Sequence, residues 1–185
     1  MIWSRGFIEG GCQALAWRET VSGRRRTLFL SVARSRPDGR AVEEARASVE
    51  SACASAERLT GTHRAWWHAF YPKSFLSLPD KRMEAFYWIQ MYKFGCATRP
   101  DRPAIDVLGP WWLLQAWPAI WWNLNIQLTY SPVYASNHLE LGESLCRLLD
   151  DGLPGLIANA PEAYRHDSAA AGRTSSYDCS CAWAS

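Results

Sequence analysis

A chain of 185 residues is long enough to bury a sizeable core in one domain or in parts of two. Its 48% hydrophobic and 21% charged residues exclude intrinsic disorder, and a net charge of +2 excludes a partner chosen by bulk electrostatics. The unusual feature is tryptophan: of eleven, eight lie between Trp66 and Trp122, enough for a heavy core or for a surface that stacks flat ligands.

The first forty residues read as β structure, with "CQALAW" and "RRTLFLSVA" as strands on either side of the polar, turn-rich "RETVSGR". A lone hairpin is marginal in water, so these strands are expected to belong to a larger sheet. The arginines here (Arg18, Arg24 to Arg26, Arg34, Arg36 and Arg40) accompany no nucleic-acid-binding motif, and no nucleic-acid partner is expected. After "RPDGR", the three-four spacing of Val42, Ala45, Val49, Ala52, Cys53, Ala56 and Leu59 predicts a linker helix with one apolar face. Gly61 in "TGT" is its expected C-terminal cap.

His63 to Pro79 is dense in aromatic residues, lacks helix caps and ends on proline, which predicts an irregular or extended segment. Asp80 then caps a helix with Met83, Phe86, Tyr87, Gln90, Met91 and Phe94 as its core stripe. Pro100 and Pro103 end it, and a loop of about twenty residues carrying five tryptophans follows; loops of that length are usually functional or disordered. Ala104 to Trp122 nearly reaches membrane-spanning length. Asp106, Gly109, Pro110, Gln115 and Pro118 break the backbone hydrogen bonding that a lipid interior demands, so no membrane partner is expected.

From Asn123 to Ala135 the pattern is helical with a break at Pro132. His138 to Leu149 is predicted as a further helix, with Asn137 as its cap and Leu141, Leu145, Leu148 and Leu149 on its inner face. The remainder is small, polar and poorly periodic. Cys12, Cys53, Cys96 and Cys146 are scattered, and the lone Cys179-x-Cys181 pair has no second pair or adjacent His to complete a zinc site.

The stretches "HRAWWHAFYPKSFLSLPD", "QMYKFGCATRPDRPAIDVLGPW" and "WWNLNIQLTYSPVYASNHLELGESL" resemble glycoside hydrolase family 95, the inverting α-L-fucosidases and related α-L-galactosidases. The similarity runs from about Thr27 to Asp178. Its most specific part is the sequence Asn123, Asn125, Gln127, Tyr130 and Pro132 behind the "LGPW" loop. The resemblance implies a mainly α chain that begins an (α/α)6 barrel, with its first hairpin and part of its second. Residues 1–38 would end a β-sandwich, 39–62 would be the linker helix, 63–178 the start of the barrel and 179–185 an unassigned tail. It implies inverting hydrolysis of α-L-fucoside-like or related glycosides by a Glu acid and an Asp base, in a parent enzyme that is secreted or periplasmic. The asparagines matching the family's water-positioning pair are Asn123 and Asn125, and the expected sugar contacts are Trp111, Trp112, Trp117, Trp122 and Gln127. No cofactor or metal is implied, and the partner is a carbohydrate.

That chemistry is sound on its own terms. An inverting glycosidase places a water between its base and the sugar, and neutral amide oxygens accept that water's hydrogens while the base takes a proton. Residues two apart point to opposite sides of a helix, so the pair should sit where a helix has only begun. The plain alternative makes Asn123 an N-cap and Asn125 a first-turn polar residue. Two features depart from the family. Tyr130, Ser131 and Pro132 stand where the fucosidases have Tyr-Trp-Pro, and the family's catalytic Glu and Asp lie on later segments. Glu140 and Glu143 match no catalytic motif and read as solvated charges. The chain is therefore expected to be an internal fragment, inactive alone; the alternative is a non-catalytic carbohydrate-binding or structural helical fragment.

Overall fold

The computed structural model describes residues 1–8, 10–36, 38–111, 117 and 119–181. The chain divides into two compact units, Met1–Ala69 and Phe70–Ser185.

In the first unit, strands β1 (Ile2–Gly6), β2 (Cys12–Ser22) and β3 (Arg25–Ser35) form an antiparallel sheet in the order β1-β2-β3. The predicted hairpin is present. Ser22 pairs with Arg25, so Gly23 and Arg24 alone make the turn, and Gly23 takes φ +58 at the first central position, where a two-residue hairpin of type II′ needs glycine. Helix α1 (Ala41–Ala54) lies on one face of this sheet. Its buried residues Ala41, Ala45 and Val49 meet Ala14 and Ala16 of β2, and these small side chains let helix and sheet approach closely. The Ser35 hydroxyl accepts the Ala41 N–H at 2.9 Å, so the end of β3 caps the helix that covers it.

The single helix expected over residues 39–62 is divided in two. The helix breaks at Ser55, and α2 (Ala56–Phe70) begins at once. Leu59, assigned to the apolar face, is more than half exposed. Helix α2 also runs through Gly61 and into the segment predicted to be irregular, as far as Phe70; a 3-10 turn, Tyr71–Lys73, follows, and residues 74–79 are irregular as expected. The Thr60 and Thr62 hydroxyls donate to the carbonyls of Ala56 and Leu59, and "TGT" lies within the helix rather than ending it.

In the second unit, α3 (Lys81–Ala97) starts where predicted, with the Asp80 carboxylate accepting the N–H groups of Arg82 at 2.8 Å and Met83 at 3.3 Å. Of its predicted core stripe Met91 is buried, whereas Met83 and Phe86 are more than half exposed. After the loop, β4 (Ile120–Trp121) is followed by a kinked turn at Trp122–Ile126. Then come four short helices: α4 (Gln127–Tyr130), α5 (Pro132–Ala135), α6 (Glu143–Asp151) and α7 (Leu153–Asn159). Pro132 begins α5, where its missing N–H costs nothing. Asn137 adopts φ +57 instead of capping, and the predicted helix from His138 opens as a 3-10 turn, Leu139–Gly142, before α6. Strand β5 (Thr174–Ser175) pairs antiparallel with β4.

The expectation of a mainly α chain opening an (α/α)6 barrel is therefore incorrect; the chain is mixed α/β. In the first unit a helix covers a three-stranded sheet. In the second, the helices that follow the 17-residue α3 have four, four, nine and seven residues, too short to make the long antiparallel hairpins of a barrel. Among the described residues no helix is long and apolar enough to cross a membrane.

Candidate functional site

The predicted site centres on Trp121 to Gln127. Trp121 ends β4, and Trp122 is anchored twice to the strand across from it: its backbone N–H donates to the Arg173 carbonyl at 3.0 Å, and its indole N–H to the Ser175 hydroxyl at 2.9 Å. The chain then leaves regular geometry. Asn123 is extended (φ −76, ψ 108), Leu124 is forced to φ 79, ψ −46, and by Ile126 the backbone is helical. A leucine at positive φ near the strained form of the γ-turn costs about 1–3 kcal/mol. The two asparagines thus flank a tight reversal immediately ahead of a helix. Asn123 is exposed and Asn125 half-buried, and neither side-chain amide hydrogen-bonds to another described residue.

The predicted sugar contacts are only partly gathered around this turn. Trp117 is half-exposed and stacks on Trp121, with ring centroids 4.6 Å apart and planes inclined by 22°. Trp121, left out of the predicted contacts, is therefore what ties Trp117 to the asparagines. Its indole N–H is buried with no partner among the described residues. Its place two residues before Asn123 was the signal that could have marked it. Trp122 is present, with its N–H already engaged by Ser175. Gln127 is exposed at the first position of α4. Trp111 is half-exposed behind Gly109, with no described contact to the asparagines. Trp112 lies outside the described residues.

Tyr130, part of the sequence motif, serves the framework. It is buried, its oxygen accepts the Ile105 N–H at 2.8 Å, and it bonds the Ser144 hydroxyl at 2.8 Å, which in turn bonds Thr98 at 2.9 Å. This buried chain fastens the Trp loop, α3, α4 and α6 to one another. Asp106 shapes the same loop by accepting the N–H groups of Leu108 at 2.8 Å and Gly109 at 2.7 Å.

Sequence reasoning missed one titratable group. His138 is fully buried, with Nδ1 3.5 Å from Glu140 and Nε2 lacking a partner among the described residues. Burial pushes its pKa below the ordinary value, against the opposite pull of the Glu140 carboxylate. Glu140, expected to be a solvated charge, is bound to Lys73 at 2.6 Å. Burial works against its ionisation, but the hydrogen bond and charge of Lys73 outweigh it and hold the carboxyl below its usual range. A carboxylate tied in this way is poorly suited to serve as a general base.

A cleft of about 370 Å³ in the first unit, between Ala16 and Val49, contains none of the predicted site residues. No family model matches the chain, and neither a curated protein nor a solved structure matches it.

Proposed function

We propose that the Trp121–Gln127 segment is a saccharide-contact element of an inverting glycoside hydrolase acting on α-L-fucoside-like or related glycosides. In this reading Asn123 and Asn125 orient the attacking water, and the Trp117–Trp121 stack offers a flat face to the sugar. The observation that supports it most is Leu124, because backbone strain of this kind collects at functional sites and here separates the two asparagines that carry the resemblance to family 95. Two amides with no hydrogen-bond partner among the described residues are also chemically suited to hold a neutral water. Hydrolysis needs a proton donor and a base on opposite sides of the sugar, roughly 6.5–9.5 Å apart. No described carboxylate is assigned either role, so the chain alone binds without turning over.

A titration of tryptophan fluorescence with L-fucose and L-galactose, run beside an aryl α-L-fucoside assay, tests this. A saturable response lost in Asn125→Ala, with no hydrolysis above background, is expected. Absence of any response to either sugar leaves the plain structural reading, which the engagement of Trp122 by Ser175 favours.

A further inference from the structure

We infer that the open face of the β1–β3 sheet is an interface between two copies of this chain. Helix α1 covers one face only. The register puts Trp3, Leu15 and Val32 in one cross-strand row of the other face, and Trp17 and Leu30 in the next. Leu28, Leu30 and Val32 are 57 to 70% exposed, so this face presents neighbouring large apolar side chains to solvent.

A second copy fits this face for two reasons. The first is charge. One end of the face carries the row Arg5, Gln13 and Arg34, while Glu19 lies beyond Leu30 toward the hairpin turn. A two-fold axis between the two apolar rows lays each on the other row of the partner copy, and sets each Glu19 against the partner copy's arginine row. A surface that complements itself in this way closes as a symmetric pair. Glu19 is bonded to Arg26 at 2.6 Å, but both side chains are solvent-exposed, so the carboxylate is free to exchange partners. The second reason is area. With about 3.3 Å per residue and 4.8 Å between strands, the face covers roughly 450 Å² in plan. Side-chain relief raises a pair to on the order of 1,000 Å² buried, the lower limit for a specific interface. The product is a two-layer sandwich of sheets with their strands nearly aligned.

Sedimentation velocity across a concentration series of the full chain tests this. The wild-type chain should shift from monomer to dimer in the micromolar range. Leu30→Arg should remain monomeric with an unchanged far-ultraviolet circular dichroism spectrum; Val32→Lys takes its place should that variant fail to fold. Glu19→Arg should weaken the dimer about tenfold, and adding Arg34→Glu should restore it. A wild-type chain that stays monomeric, a ladder of larger oligomers, or dimers that both Leu30→Arg and Val32→Lys leave intact would overturn the inference.

Discussion

The imidazole of His138 lies flat against the ring of Phe70, with centroids 3.9 Å apart and planes inclined by 15°. Phe70 closes α2, and His138 precedes the 3-10 turn that leads into α6, so this stack joins segments 68 residues apart in the chain. A neutral imidazole suits such a position, because a charged one would be stripped of water, with a single carboxylate beside it that Lys73 already engages.

The sign of the resulting pH dependence follows. Unfolded histidine titrates near about 6.5, and the folded value lies below that, so between the two the unfolded chain binds more protons. Stability is therefore full above about pH 7, falls as the pH drops through 6.5, and levels off below the folded pKa. Thermal melts from pH 8 to 5 should show this decline, and His138→Gln should flatten it. Glu140 acts in a separate window: its lowered pKa contributes stability that is lost as the pH falls below its ordinary value of 4.5.

Tyr130→Phe removes the acceptor of the Ile105 N–H and one partner of Ser144 while leaving the ring in place. Ser144 keeps Thr98 and the Leu141 carbonyl, but the buried Ile105 N–H is left without its acceptor, so a loss of about 1–3 kcal/mol is expected in denaturant unfolding. Ser131→Ala, which affects only an exposed hydroxyl bonded to the Leu128 carbonyl, should change stability far less.

Leu124→Gly relieves the positive φ and should raise stability by about 1 kcal/mol, since the side chain it removes is 58% exposed. If the strain serves the asparagines, the same variant should weaken the fluorescence response to sugar. A gain in stability with the sugar response unchanged would separate the turn from function.

Gly155→Ala would drive a Cβ into the carbonyl oxygen of Asp178, a backbone atom with little room to yield. We expect a loss of about 1–3 kcal/mol by thermal unfolding. The turn it would push against is well tied. Asp178 accepts the Ser180 N–H at 2.9 Å and the hydroxyls of Ser176 and Ser180, which hold its carboxyl down at about 2. Asn159 binds the carbonyls of Ala170 and Cys179 and the N–H of Cys181. The residues left as an unassigned tail thus begin with Cys179, which is fully buried, with three residues between it and β5, the strand that anchors Trp122.

The sequence by itself determined the features whose cause is local. The β2–β3 hairpin follows from two β-capable runs around a glycine turn, and the start of α3 from a carboxylate that caps it two and three residues on. The asparagine pair, the Trp loop and the break at Pro132 were likewise legible, because each is a matter of residue type and spacing. Only the tertiary structure decided the rest. Helix α1 is a cover for a sheet because Ala41, Ala45 and Val49 meet Ala14 and Ala16, a match that neither segment displays alone. Leu124 takes a conformation that no leucine prefers, with β4 and β5 pairing more than fifty residues apart just ahead of it. His138 became buried through a partner 68 residues away. In each case the deciding contact is between residues distant in sequence, and no local period or cap encodes it.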